Sequence, residues 1–143
     1  MSKQYDSVAL AGRILIGVLF FMSGLSKLAG PAATQGYIAA VGLPFPVVSY
    51  GVAVVVEVIG SLLLIAGYRT RLVAAGVAVF TLATAVVFHK NFADQNQMIH
   101  FMKNIAIVGG LLQVVAFGGG KYSVDALLGR RSAPSSAALQ PAG

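Results

Sequence analysis

Apolar residues in this chain come in long blocks separated by short polar breaks. The first block, VALAGRILIGVLFFMSGLSKL (Val8 to Leu28), is apolar on every side of a helix. Its 21 residues reach about 31 Å at 1.5 Å each, the hydrocarbon thickness of a bilayer. The blocks at 47–66 and 72–89 have a similar length. The last run, Ile105 to Phe117, holds only 13 residues and reaches about 20 Å, so its helix must begin earlier, near Met98. The pattern predicts an all-α polytopic membrane protein with four transmembrane helices in an antiparallel bundle. The spans fall at about 8–28, 47–66, 72–89 and 98–117.

The breaks are as informative as the blocks. Residues 29–46 carry no charge; Pro31 suits a first helical turn, Gly42 a left-handed stop, and Pro44 and Pro46 forbid continuation. A short interfacial helix over 32–41, anchored by Tyr37, is expected between helices 1 and 2. GYRTR (Gly67 to Arg71) is a tight, doubly basic turn. After GGGKYS, Ser123 is placed to cap a short amphipathic helix ending at Gly129. Residues 1–131 make one domain, and the Ala/Ser/Pro tail at 132–143 is expected to be disordered.

Composition narrows the function classes. With 57% hydrophobic and 10% charged residues, the chain has room for four spans and no additional soluble domain. The net charge of +6 does not indicate nucleic acid, because the Lys and Arg residues are scattered between apolar runs. They follow a topological bias instead. Lys3, Arg69, Arg71, Lys121, Arg130 and Arg131 fall on the side of the termini, which places both termini in the cytoplasm. The first block is longer than a signal-peptide core and carries Arg13, so a retained span is expected. There is no cysteine, which excludes disulfides, iron–sulfur clusters and thiol chemistry.

Charge inside the spans marks the candidate sites. Arg13 in the first span and Glu57 in the second lie at similar depth when counted from their cytoplasmic ends. They are expected to form an ion pair that either fixes helix packing or leaves Glu57 as a proton carrier. At the opposite face Lys27, His89, His100, Lys103 and Asn104 converge, with Asp94 the acid in the connecting loop. Such a cluster either anchors the helix ends among lipid phosphates or receives a carbonyl-bearing head group, for which quinone is a candidate cofactor. A haem held by His89 and His100 is disfavoured, since both stand near one surface only a loop apart. No metal site is expected, because no ligand spacing is present.

Taken in order, RILIGVLFFMSGLSKLAG, YIAAVGLP, VEVIGSLLLIAGYRTRLVA, FH, MIHFMKNIAIVGGLL and GGGKYSVD resemble the DoxX family of small bacterial integral membrane proteins, from about Ala11 to Asp125. The resemblance implies a four-helix bundle of the bacterial inner membrane. It marks Arg13, Gly24, Lys27, Glu57, Gly67, His89, Lys103 and Asn104 as positions of the family's polar and glycine pattern. It also implies a link to thiosulfate:quinone oxidoreduction, from which the family takes its name. The expected function is a quinone-associated subunit or accessory of a membrane redox system. A small-solute or proton-coupled permease and a structural partner of another membrane protein are the alternatives. Expected partners are the bilayer, a second membrane or redox subunit, and further copies of the chain. The sequence leaves open whether the chain catalyses anything alone.

Overall fold

The computed structural model describes residues 3–132, and they are helical almost throughout. α1 is Lys3–Ala29, α2 Pro31–Ala40, α3 Pro46–Ala66, α4 Thr70–Phe88, α5 Gln95–Phe117 and α6 Val124–Ser132. α1, α3, α4 and α5 are long and apolar enough to cross a membrane. Four spans bring both chain ends to one side, called here the terminal face.

The helix boundaries differ from hydropathy where polar chemistry decides them. α1 begins at Lys3, five residues before the apolar block, because Asp6 favours its first turn and the Ser7 hydroxyl bonds back to the Lys3 carbonyl at 3.0 Å. α5 begins at Gln95, where Asp94 accepts from the N–H groups of Asn96 and Gln97. The early start demanded by the short apolar run is therefore present. α6 continues past Gly129 to Ser132, with the Ser123 hydroxyl accepting from the Ala126 N–H at 3.2 Å. The rest of the tail expected to be disordered lies outside the described residues.

α3 is not uniform. Its middle, Val55–Gly60, is a π-helical turn with Glu57 inside it, followed by α-helix from Ser61. Such a turn holds one more residue than the α-helix it interrupts, and it is found often at functional sites. Gly67 ends the helix in the left-handed conformation (φ 73°), and the Tyr68 N–H returns to the Leu63 carbonyl.

α1 and α3 approach closely through glycines. A Cβ on Gly17 would fall 2.3 Å from Ile65, and one on Gly24 would fall 2.6 Å from Val58. These contacts set the register, and they place Glu57 level with Leu25. α4 packs along α5, and Phe20, Leu64, Ala74, Val77, Ala78 and Leu111 form the buried core between the helices. Leu15, Leu19, Val52, Val55, Val79, Val86 and Leu112 point outward, as expected of surfaces that meet lipid. α2 buries Ile38, and its Tyr37 stacks on Phe88 at the end of α4, with ring centroids 5.5 Å apart.

Candidate functional site

The described residues contain three polar groupings, and they divide the expected site residues differently from the sequence pattern. The first is an ion pair inside the α1–α3 contact. Lys27 Nζ lies 3.0 Å from Glu57 Oε1 and 2.8 Å from Oε2, and it also donates to the Ser23 hydroxyl at 3.0 Å. The Tyr50 hydroxyl donates to the Lys27 carbonyl. Glu57 is almost fully buried and Lys27 is about one-quarter exposed. Helical side chains lean toward the helix N-terminus, so Lys27 reaches inward along α1 while Glu57, on the antiparallel helix, leans back to meet it. Lys27 therefore does not extend to lipid phosphates.

Arg13 and Glu57 do not pair, which corrects the expectation from the sequence. With Glu57 level with Leu25, the two residues stand about twelve positions apart, roughly 18 Å along the helices. Counting depth from the ends of the apolar blocks failed because α1 overshoots the end of α3 at the terminal face. Arg13 lies in that overshoot, fully buried, beside the end of α3 and far from Glu57. One terminal nitrogen donates to the carbonyls of Leu64 (3.1 Å) and Ile65 (2.8 Å), and the other donates to the carbonyl of Tyr122. Leu64 and Ile65 are in the last turn of α3, where the Leu64 carbonyl also accepts from the Gly67 N–H and the carbonyls carry the negative end of the helix dipole. Arg13 is a cation capping a helix C-terminus.

The second grouping surrounds Arg13. Asp125 accepts from the Arg69 N–H (2.7 Å), the Thr70 N–H (2.8 Å) and the Thr70 hydroxyl (2.7 Å), which places an anion on the N-terminus of α4. Burial works against this charge, but the bonds from Thr70 and Arg69 and the nearby Arg13 guanidinium hold the carboxyl below its ordinary range. Asp6 accepts from the Lys121 N–H at 2.9 Å. Sequence reasoning gave Asp6, Thr70 and Asp125 no role. The usable signal was scarcity: the chain has only four acidic residues, and each takes a defined partner.

The third grouping, where α4 meets α5, keeps most of the expected cluster without Lys27. His89 ends α4, and its Nδ1 lies 3.0 Å from Gln97 Oε1. The His89 and His100 rings lie 5.1 Å apart. Asn104 reaches the Thr84 hydroxyl at 3.4 Å. His100, Lys103 and Asn104 lie on one side of α5 at helical spacing, with His100 and Lys103 exposed.

Comparison with known proteins agrees with this architecture. The DoxX family profile matches residues 8–90. The inner membrane protein YqjF of Escherichia coli (strain K12) is 40% identical over 134 residues, 92% of this chain and 99% of YqjF. The inner membrane protein YphA of the same organism is 35% identical over 121 residues, 81% of this chain and 86% of YphA. CatD of Bacillus subtilis (strain 168), whose name assigns it provisionally as an oxidoreductase, is 36% identical over 73 residues, about half of each chain. No solved structure gives a significant match. With four membrane-length helices, a profile match over more than half its length and relatives aligned nearly end to end, this chain belongs to the DoxX family of membrane proteins.

Proposed function

We propose that the protein is a quinone-associated subunit or accessory of a redox system in the bacterial inner membrane, with both termini cytoplasmic. The observation that carries the reading is the imidazole pair where α4 meets α5: His89 and His100 lie ring to ring beside the exposed Lys103. A quinone head group presents carbonyl oxygens that need donors and, on reduction, protons. His100, Lys103 and Asn104 supply donors on one helix face. His89 adds a second imidazole beside them. His100, Lys103 and Asn104 precede the 13-residue run, apolar but for Gln113, that ends α5, at head-group depth, where a lipid-soluble ring is accessible from the bilayer. Glu57, paired to Lys27, is the candidate proton carrier of the interior. Electrons have to come from a partner subunit or substrate, since the chain has no cysteine for thiol or iron–sulfur redox chemistry. The redox word in CatD's name fits this reading.

The test is titration of a short-chain quinone into the detergent-solubilised protein. Lys103→Met and His89→Leu are expected to weaken binding by about 1 to 3 kcal/mol, the usual cost of losing a buried or charge-assisted hydrogen bond. Lys90→Met, in the exposed loop, leaves affinity unchanged. Equal affinities in all four proteins, or no binding by the wild type, would reduce the cluster to interfacial anchoring and favour a structural partner.

A further inference from the structure

We propose that the hollow at the terminal face, between the start of α4 and the glycine loop after α5, binds the phosphate of an anionic phospholipid. It encloses about 500 Å³, with Arg69, Thr70, Arg71 and Leu72 on one side and Gly118–Gly120 and Asp125 on the other. Its charge balance is positive. Both carboxylate oxygens of Asp125, its one acid, are committed to the Arg69 N–H and to Thr70, so that charge serves the N-terminus of α4. Among the described residues neither the Arg69 nor the Arg71 guanidinium meets a carboxylate.

The glycine loop adds a second kind of donor. Gly118 and Gly120 hold positive φ (77° and 72°), a conformation that a side chain would strain. Arg71 lies over Gly118, where a Cβ would come within 3.3 Å of its Nε. The N–H groups of Gly119 and Gly120 meet no acceptor among the described residues. The Arg71 guanidinium over this loop, with Arg69 lining the same hollow, brings cationic donors together with backbone N–H groups, a combination suited to an oxyanion.

A free phosphate shares this chemistry, and the surroundings select a lipid. The hollow opens where α4 begins and α5 ends, at the edge of the spanning region, and the exposed Leu72 and Phe117 stand beside it. A phosphate held by Arg69 and Arg71 leaves its acyl chains to run along those apolar side chains into the bilayer. Anionic lipid is also abundant at a membrane surface bearing basic residues.

The test uses the full chain in mild detergent, with phosphatidylglycerol, phosphatidylcholine and inorganic phosphate as probes. Lipid retention is followed by native mass spectrometry and stabilisation by thermal melt. Wild type and Arg131→Gln, a basic position outside the hollow, should bind phosphatidylglycerol equally and in preference to phosphatidylcholine. Arg71→Gln should bind it roughly tenfold more weakly, as the loss of a charge-assisted contact predicts. Arg69→Gln gives the same reading if the first variant does not fold. An equal loss in Arg131→Gln would mean a diffuse basic surface. Unchanged binding in both hollow variants, or inorganic phosphate binding as well as the lipid, would also overturn the assignment.

Discussion

The Lys27 ammonium stands 2.8 Å from Glu57 Oε2, inside the contact between the first two spanning helices and within a π turn of the second. Few other arrangements keep two charges there. Breaking one partner of a buried pair leaves the other charge uncompensated, at about 3 to 5 kcal/mol, whereas removing both costs far less. Glu57→Gln and Lys27→Met should therefore each lower the melting temperature in detergent markedly, and the double variant should recover much of the loss. Simple addition of the two losses would show that the residues are not energetically coupled.

Arg13 makes a different prediction, because its partners are carbonyls. Arg13→Gln should destabilise by at least one charged hydrogen bond, about 1.5 to 3 kcal/mol. Lysine at the same position, a compact charge without the guanidinium fork, should restore only part. Since Glu57 is not a partner, Arg13→Gln and Glu57→Gln should add in the melt. A double variant more stable than addition predicts would reinstate a pairing between them.

Asp125 ties stability to acid pH. Its folded carboxyl titrates below the ordinary range, while an unfolded aspartate titrates near 3.9. The depressed value means that its contribution is fully present above about pH 4 and is lost as pH falls through the folded value. The wild-type melting temperature should drop below pH 4. Asp125→Asn should melt lower at neutral pH and change less on acidification. Parallel pH profiles for the two proteins would remove Asp125 as the cause.

Orientation follows from the basic residues gathered at the terminal face. A reporter active only outside the cytoplasm should be silent when fused after Gly143 and active when inserted beside Asp94. The opposite pattern would invert the topology and put the proposed lipid hollow on the outer leaflet.

How much of this was legible in the sequence depends on what each residue answers to. The spans answer to bilayer thickness, so four apolar blocks and a fourth helix starting early could be read from residue counts alone. Asp94 and Ser123 answer to local helix-end chemistry, and Ser123 was legible as a cap for that reason. The partner of Glu57 answers to the register between two helices, set by Gly17 against Ile65 and Gly24 against Val58. No periodicity along one helix contains that offset. Position along α1 then separates Arg13 from Lys27: both are cations on one helix, but Arg13 lies level with the end of α3 and bonds its last carbonyls, whereas Lys27 lies level with its middle and meets Glu57. Asp125 was illegible because it caps a helix that begins 55 residues earlier in the chain.

The π turn at Val55–Gly60 has a mechanical consequence. Within it Glu57 is tied to Lys27; beyond it, the Leu64 and Ile65 carbonyls are tied to Arg13. α1 thus grips the second span at two points, and the second half of the π turn, Val58–Gly60, lies between them. Straightening that turn into α-helix would rotate one grip relative to the other by about 100° and lengthen the path by about 1.5 Å. The helix can relax only by letting go at one end.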